Sequence, residues 1–252
     1  MTQSALPLFY REVVAFDKDR HGTLDFPEAG LDYDFARRTS VVPLLIHEVA
    51  LALKSYPVVF LPAQGDTPPA LVAMVGVGDD RNLFVEQNGE WRRGAYVPAW
   101  VRRYPFLPVQ PAGGAASVLA LDPTAPMLKQ RGGEALIKDG EPSERLKRVI
   151  AFNEEFTLLA ARTNAIIHAL HASGVLEEGN LRIPPPAGGG QNGREVKGFL
   201  VVSESKLRSL ASDAILKLHA ADALGLAYAQ LLSTSNLENL ISMATQAQQP
   251  AR

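Results

Sequence analysis

The chain has 252 residues, of which 46% are hydrophobic and 21% are charged. A chain of this length and composition can bury a core of its own, which excludes wholesale disorder. Cysteine is absent, so disulfides, thiolate metal sites and cysteine nucleophiles are excluded. The net charge of −2 lacks the positive field that is typical of nucleic-acid-binding proteins, and we therefore expect no nucleic-acid partner.

Two segments bear on where the protein resides. Residues 1–16 contain no basic region ahead of an apolar stretch, so they do not resemble a signal peptide. The most apolar window, residues 41–53, is thirteen residues long and includes His47 and Glu48. A membrane-spanning helix needs about 20 apolar residues. We therefore expect a cytoplasmic protein without a transmembrane segment.

The first half of the sequence is rich in strand-forming and turn residues. Apolar residues at helical spacing over residues 41–54 predict a helix there, with Thr39 or Ser40 as its N-cap. The predicted strands are residues 58–62, 70–77, 82–86 and 117–121. Asn88 and Gly89 predict a tight hairpin turn that leads into Trp91. The connections between the first three strands are too short for a crossover helix, so the sheet should be antiparallel there.

The second half of the sequence is typical of helices. Apolar residues through positions 146–170 predict one long helix, with Ser143 as N-cap and Gly174 as C-cap. The elements predicted after it are a loop at residues 184–192, a strand at 198–202, and helices at 212–232 and 236–244. Strands first and helices later predict an α+β fold, in which a mostly antiparallel sheet from the N-terminal half packs against C-terminal helices. We expect one compact domain over residues 1–252, with a subdomain split near residues 122–142 as the alternative.

Two short motifs have both a functional and a structural interpretation. Gly188, Gly190 and Gly193 have the spacing of a dinucleotide-binding fingerprint, but prolines stand before them where a strand is required. We interpret these glycines as a loop. Ser203 and Lys206 match the Ser-x-x-Lys pattern of acyl-enzymes without its companion motifs, so we interpret the pair as a cap and a solvated side chain.

The histidines offer a weak metal hypothesis. His168 and His171 are three residues apart on a predicted helix and therefore share a face, and Asp17 and His21 share a polar loop. Nothing in the spacing selects a ligand set, since a metal site needs several ligands at diagnostic spacing. We therefore predict no metal site and no cofactor. A metal-dependent enzyme built from His21, Asp17 and another histidine is kept as an alternative.

Residues 96–106 combine four aromatic residues with two adjacent arginines. Guanidinium groups stack on aromatic rings and present forked donors to carboxylate or phosphate. The alternative is an aromatic core segment whose arginines pair with Asp or Glu. We predict a ligand-binding site, and no catalytic residue is identified. The predicted site residues are Arg102, Arg103, Tyr104, Trp91, Tyr96 and Trp100.

Several stretches resemble the SapC family of bacterial proteins. The matching stretches are residues 56–60, 82–85, 88–91, 96–106, 140–142, 198–202, 218–219, 228–232 and 236–237. They occur in order along nearly the whole chain, and residues 96–106 are the most specific of them. The resemblance implies a bacterial protein whose family name comes from a surface-layer gene region. It also implies a role associated with the modification of peptides or small molecules, or with the assembly of the cell envelope.

These observations lead to one functional hypothesis and two alternatives. We predict a non-enzymatic binding or accessory protein that holds an anionic small molecule, peptide or partner protein through the arginine and aromatic residues at 96–106. The alternatives are a metal-dependent enzyme acting on a small molecule or peptide, and an envelope-associated scaffold. A homo-oligomer is compatible with each of them.

Overall fold

The computed structural model describes residues 6–27, 32–65, 69–78, 80–111, 117–129, 133–185 and 193–247. The strands in these ranges are β1 (Val14–Ala15), β2 (Asp25–Phe26), β3 (Val41–Pro43), β4 (Val58–Leu61), β5 (Ala70–Met74), β6 (Phe106–Val109), β7 (Val118–Leu121), β8 (Glu134–Ala135), β9 (Ile137–Lys138), β10 (Glu141–Pro142), β11 (Leu176–Ile183) and β12 (Arg194–Val202). The α-helices are α1 (Lys18–His21), α2 (Val49–Ala52), α3 (Ala99–Arg103), α4 (Glu144–Ala172), α5 (Glu204–Arg208), α6 (Ser212–Ala220), α7 (Ala223–Ser233) and α8 (Asn236–Ala247).

The largest sheet has five strands in the order β11-β12-β4-β5-β3, and all its pairings are antiparallel. Its central strands β4 and β5 are almost entirely buried, as their continuous apolar sequences require. The C-terminal half of α4 and helix α7 pack against this sheet. Removal of large side chains such as Phe60 and Ile167 from water stabilises this cluster by roughly 1.5–3 kcal/mol each.

A second hydrophobic cluster lies against the N-terminal half of α4. It contains the three-stranded antiparallel sheet β1-β7-β6, in which Phe106 and Leu121 are directly paired. Leu146 and Val149 of α4 belong to this cluster, whereas Ile167 belongs to the larger one. Helix α4 therefore spans both cores and fixes one relative to the other.

The predicted α+β class is confirmed, with the sheets mostly N-terminal and the helices mostly C-terminal. The long helix is also confirmed, since α4 covers the predicted range. Its predicted N-cap is present too, because Ser143 Oγ accepts a hydrogen bond from the backbone N–H of Leu146 at 3.2 Å. Gly174 follows its last turn with φ of +74°, a conformation that glycine adopts without strain. The predicted turn at Gly89 is present too, since Glu86 N–H donates to Glu90 and an isolated bridge joins Val85 to Trp91. The single-domain expectation stays a prediction.

The helix predicted over residues 41–54 is wrong in its first part. Val41–Pro43 forms β3 at the edge of the large sheet, where each residue pairs with one in β5. Two β-branched valines fit a strand, and a proline without an N–H is tolerated at a sheet edge. Only the short α2 and the 3₁₀ turn Ile46–Glu48 are helical.

Three further predictions need correction. Residues 82–86 form a loop, in which the side-chain amide of the buried Asn82 donates to the carbonyl oxygen of Ala36 and accepts from the N–H of Phe84. The helix predicted at 212–232 is two helices, since Asp222 between α6 and α7 has φ of +58°. Strand β11 was not predicted, and β12 is longer than predicted because it pairs with β11 along most of its length. Of the predicted loop at 184–192, residues 186–192 lie outside the described part of the chain, as do Gly188 and Gly190.

Candidate functional site

The arginine–aromatic segment forms the short helix α3, which begins directly after Pro98. Proline cannot donate a backbone hydrogen bond, and it suits the start of a helix for that reason. The first free donor of α3, the N–H of Ala99, is bound at 3.0 Å by Oε1 of the buried Glu48. This bond ties α3 to the 3₁₀ turn that follows β3. It thereby sets the position of Arg102 and Arg103 at the other end of the helix.

Arg102 has an exposed side chain whose orientation is fixed by three neighbours. Its Nε donates to the carbonyl oxygen of Val97 at 3.1 Å, and its Nη2 donates to the hydroxyl of Tyr96 at 2.9 Å. The guanidinium also lies 5.2 Å from the ring centre of Phe152 on α4. A cation over an aromatic face at this distance is attracted by the ring.

Arg103 is buried between two aromatic rings. Its guanidinium lies 4.2 Å from the ring centre of Trp100 and 4.3 Å from that of Phe156. Burial lowers the pKa of Arg103, and the hydroxyl of Tyr10 partly opposes this shift. Within the described part of the chain, neither Arg102 nor Arg103 forms an ion pair with an acidic side chain. The structure therefore differs from the alternative interpretation of this segment, in which acidic residues pair with both arginines.

The two arginines of α3 meet two arginines of α4 at one cavity of about 300 Å³. We call this cavity the arginine cavity; it is lined by Arg102 and Arg103 of α3, by Arg145 and Arg148 of α4, and by rings that include Phe152. The described residues that line it include no aspartate or glutamate. Four positive side chains thus converge on a space whose described walls carry no carboxylate.

Arg145 repeats the arrangement of the α3 arginines. Its guanidinium lies 4.4 Å from the ring centre of Phe26, and its Nη2 donates to the carbonyl oxygen of Pro27 at 2.6 Å. Tyr33 stands on the same wall, where burial raises its pKa and the charge of Arg102 opposes the shift. The guanidinium groups of Arg102, Arg103 and Arg145 are therefore held on aromatic faces.

The structure separates the other predicted site residues from this cavity. Trp91 is buried, and its Nε1 donates to the hydroxyl of Tyr56 at 2.9 Å, which is a contact within the core. Tyr104 is buried and stacks on Phe35 with ring centres 4.2 Å apart. Tyr96 orients Arg102, and Trp100 supports Arg103. Of the six predicted residues, Arg102 and Arg103 line the arginine cavity directly.

Tyr104 lines a different and larger cavity of about 490 Å³. This cavity has mixed charge, because Asp32 and Asp34 line it together with three arginines, Arg11, Arg37 and Arg38. Arg37 is already bound by the carboxylate of Asp34 and by the carbonyl oxygens of Val85 and Glu86. Opposite charges within the described wall of this cavity therefore partly offset one another.

Glu48 is completely buried beneath the segment. Burial raises its pKa to about 7, and this shift is opposed by the Ala99 N–H and by the charge of Arg102. Its Oε2 has no hydrogen-bond partner among the residues that the structure describes. Burial thus moves the titration of this acid toward neutral pH, at the start of the helix that carries the arginines.

The histidines and the Ser-x-x-Lys pair do not line the arginine cavity. His21 Nδ1 accepts a hydrogen bond from the backbone N–H of Asp17, while the other four histidines are exposed. In the described ranges, no three His, Asp or Glu residues are close enough together to hold a metal ion. Ser203 is buried ahead of α5, and the amino group of Lys206 lies 3.5 Å from Glu177. Ser203 therefore occupies the N-cap position of α5, and Lys206 is exposed.

Sequence reasoning missed Arg145, Arg148, Phe152 and Phe156. A signal for them existed, since these residues follow one another at intervals of three or four along the predicted helix and therefore share a face. What the pattern could not show is that this face lies opposite α3.

None of the described helices is long and apolar enough to cross a membrane.

Comparisons with known proteins identify a family. No curated protein and no solved structure matches the chain. A family model described as SapC matches residues 16–240, a range that includes α3, most of the sheets and all of α4. The chain belongs to the SapC family, as its sequence motifs predicted.

Proposed function

We propose that this protein is a binding or accessory protein that holds a small organic anion in the arginine cavity. The observation that carries the proposal is the convergence of four arginine side chains on one cavity of about 300 Å³ whose described lining contains no carboxylate. Arg102 and Arg103 form no ion pair with an acidic side chain of the described residues, so their charges can attract an anion into the cavity. The bacterial and cytoplasmic assignments stay predictions.

The aromatic rings prepare the arginines for binding. A guanidinium that lies on a ring face keeps its N–H donors in its own plane, where they point sideways toward a ligand. Phe152, Trp100 and Phe156 hold Arg102 and Arg103 in this way. Because the side chains are already ordered, binding loses less conformational entropy than it would with free arginines. The planar forks suit a carboxylate or a phosphate group.

The lining favours binding over catalysis. Cavities that take small ligands have volumes of roughly 300–1,000 Å³, and the arginine cavity lies at the small end of that range. Its described lining contains arginines, aromatic and aliphatic residues, and Asn153, but no histidine, carboxylate or lysine that could act as a general base. Burial raises the pKa of Tyr33, which makes its hydroxyl harder to deprotonate at neutral pH.

Calorimetric titration with inorganic pyrophosphate tests the proposal, because pyrophosphate is small and can contact several guanidinium groups at once. Arg102→Gln removes a charge from an exposed side chain and should leave the fold intact. Loss of a charge-assisted bond costs about 1.5–3 kcal/mol, so we expect the Kd to rise about ten- to a hundredfold.

Arg93→Gln is the matched control. Arg93 is exposed and does not line the arginine cavity, so its substitution should change the Kd less than about twofold. Equal binding by wild type, Arg102→Gln and Arg93→Gln would contradict the proposal. Equal loss in both variants would show a general effect of surface charge and would contradict it as well.

A further inference from the structure

A second cavity adjoins the arginine cavity and has the opposite character. It has a volume of about 250 Å³ and is lined mainly by aliphatic and aromatic side chains, among them Leu44, Leu71, Trp100, Phe156 and Ile167. We call it the apolar cavity. Its buried hydroxyl, that of Thr163, donates to Leu159 and accepts from the N–H of Ile46, so this polar group is already satisfied within the protein.

The two cavities lie end to end along one face of α4. Arg145, Arg148, Val149 and Phe152 line the arginine cavity, and Phe156, Ala160, Thr163 and Ile167 line the apolar cavity. Successive members of this series are one to four residues apart, which keeps them along one side of the helix. At 1.5 Å per residue, the distance from Phe152 to Thr163 along the helix axis is about 16 Å.

The boundary between the cavities is the stack around Arg103. Trp100 and Phe156 hold the Arg103 guanidinium between them, and the same two rings line the apolar cavity. The stack thus contributes its guanidinium to the lining of the arginine cavity and its two rings to the lining of the apolar cavity. A ligand that reaches both cavities would pass over the exposed part of Trp100, which is only partly buried.

We propose that the ligand is a fatty carboxylate whose head binds in the arginine cavity and whose aliphatic chain lies in the apolar cavity. This inference rests on the proposed function. Charge complementarity selects the position of the head, and the cavity-lining residues along one side of α4 select the position of the chain.

The dependence of affinity on chain length tests the position of the chain. Acetate, hexanoate and decanoate share one head group and are titrated into the intact protein at concentrations below those that form micelles. Each methylene that leaves water for the apolar cavity should tighten the Kd about fourfold, which corresponds to about 0.8 kcal/mol. We expect decanoate to bind much more tightly than hexanoate, and acetate to bind most weakly.

Two substitutions at neighbouring positions of α4 locate the chain. Ala160→Phe fills the apolar cavity and should flatten the dependence on chain length, so that decanoate binds more than about tenfold more weakly than it does to the wild type. Ala161→Phe adds the same ring at an exposed position outside the cavity and should keep the wild-type dependence. Circular dichroism and thermal unfolding compare the folding of the two variants.

Asn164→Asp tests the same cavity by charge. It lies at an exposed position on the cavity wall, where a charge does not disturb the core, and it should also weaken decanoate binding.

The results separate this inference from the proposed function. If pyrophosphate binding depends on Arg102 but decanoate binds no better than hexanoate, the inference is overturned and the anion site stands. If decanoate binding is the same in the wild type, Ala160→Phe and Asn164→Asp, the inference is likewise overturned. If neither pyrophosphate nor decanoate depends on Arg102, both proposals are overturned.

Discussion

The guanidinium of Arg103 lies 4.2 Å from the ring centre of Trp100, three residues earlier on the same short helix. The ring supports a charged group that lines one cavity, and it also lines an apolar cavity. One side chain thus joins the two surfaces on which both proposals depend. The helix that holds this pair is short, and its start is fixed by the buried Glu48.

Substitution of Arg103 separates the contribution of its packing from that of its charge. Arg103→Ala removes the group between Trp100 and Phe156 and should lower the free energy of unfolding by about 3 kcal/mol. Arg103→Met keeps most of the volume without burying a charge, so it should change stability by less than about 1 kcal/mol. Urea unfolding at pH 7 measures both. A methionine variant as unstable as the alanine variant would show that the charge, and not the packing, stabilises this core.

The buried Glu48 predicts that stability depends on pH. Burial raises its pKa in the folded state to about 7, above its ordinary value near 4.5. Between these two values the folded state binds more protons than the unfolded state, so the free energy of unfolding falls as pH rises from about 4.5 to 7. At about 1.4 kcal/mol per pKa unit, the total fall is about 3 kcal/mol.

Glu48→Gln removes the ionisable group and keeps an oxygen acceptor for the N–H of Ala99. The neighbouring groups Tyr56, Tyr96 and Arg102 remain in place. The variant should be more stable than the wild type at pH 8 and about equally stable at pH 5, as measured by urea unfolding across this range. Glu178→Gln, at an exposed position, is the control and should follow the wild-type profile. The same pH profile in the wild type and in Glu48→Gln would refute the assignment.

The sequence predicted elements whose signals are local. Helix α4 has a long apolar period, a serine N-cap and a glycine after its last turn, and strands β4, β5 and β7 are short runs of apolar residues between turns. Elements that depend on distant partners were missed. Val41–Pro43 is a strand because β5 lies beside it, although the apolar spacing after it is helical. Strand β11 includes Glu177, Glu178 and Gly179, which are weak strand formers, and its pairing with β12 overrides that preference.

The residues of the candidate site also fall into two groups: those that the local sequence indicates, and those that only the packing of distant segments brings together. Arg102 and Arg103 were found because arginines and rings are dense within eleven residues of sequence. Arg145 and Arg148 lie about forty residues further along, and only the packing of α3 against α4 brings them to the same cavity. Trp91 was included because it is aromatic and near in sequence, whereas its indole N–H is bound within the core by Tyr56.

The close pairing of β11 with β12 can be tested at Gly179. A Cβ atom at this position would lie 2.1 Å from the ring of Phe199 on the opposite strand, so Gly179→Ala must displace the ring. We expect it to lower the free energy of unfolding by about 1–3 kcal/mol. Gly225→Ala is the matched control, because it lies in α7 with no atom within 4 Å of the added Cβ, and it should stabilise the protein by about 0.5–1 kcal/mol. Equal effects of the two substitutions in urea unfolding would contradict the close approach of Phe199 to Gly179.

We expect the N-cap of α4 to contribute to the stability of the fold. Ser143 is buried and its hydroxyl accepts the N–H of Leu146, so Ser143→Ala should lower the free energy of unfolding by about 1 kcal/mol. Ser143→Asp supplies another acceptor at the positive end of the helix and should retain most of that stability. Thermal and urea unfolding of the two variants measure the difference. Equal stability of the alanine and aspartate variants would show that the cap bond contributes little.

The most direct test of the arginine cavity is anomalous diffraction from crystals soaked in selenate, an anion with the shape and charge of sulfate. We expect a selenium peak inside the cavity, at a position from which the selenate oxygens accept hydrogen bonds from Arg102 or Arg103, and no peak there in crystals of Arg102→Gln. A cavity that holds one of the chain's own carboxylates, or selenium peaks confined to other arginines, would contradict the proposed anion site.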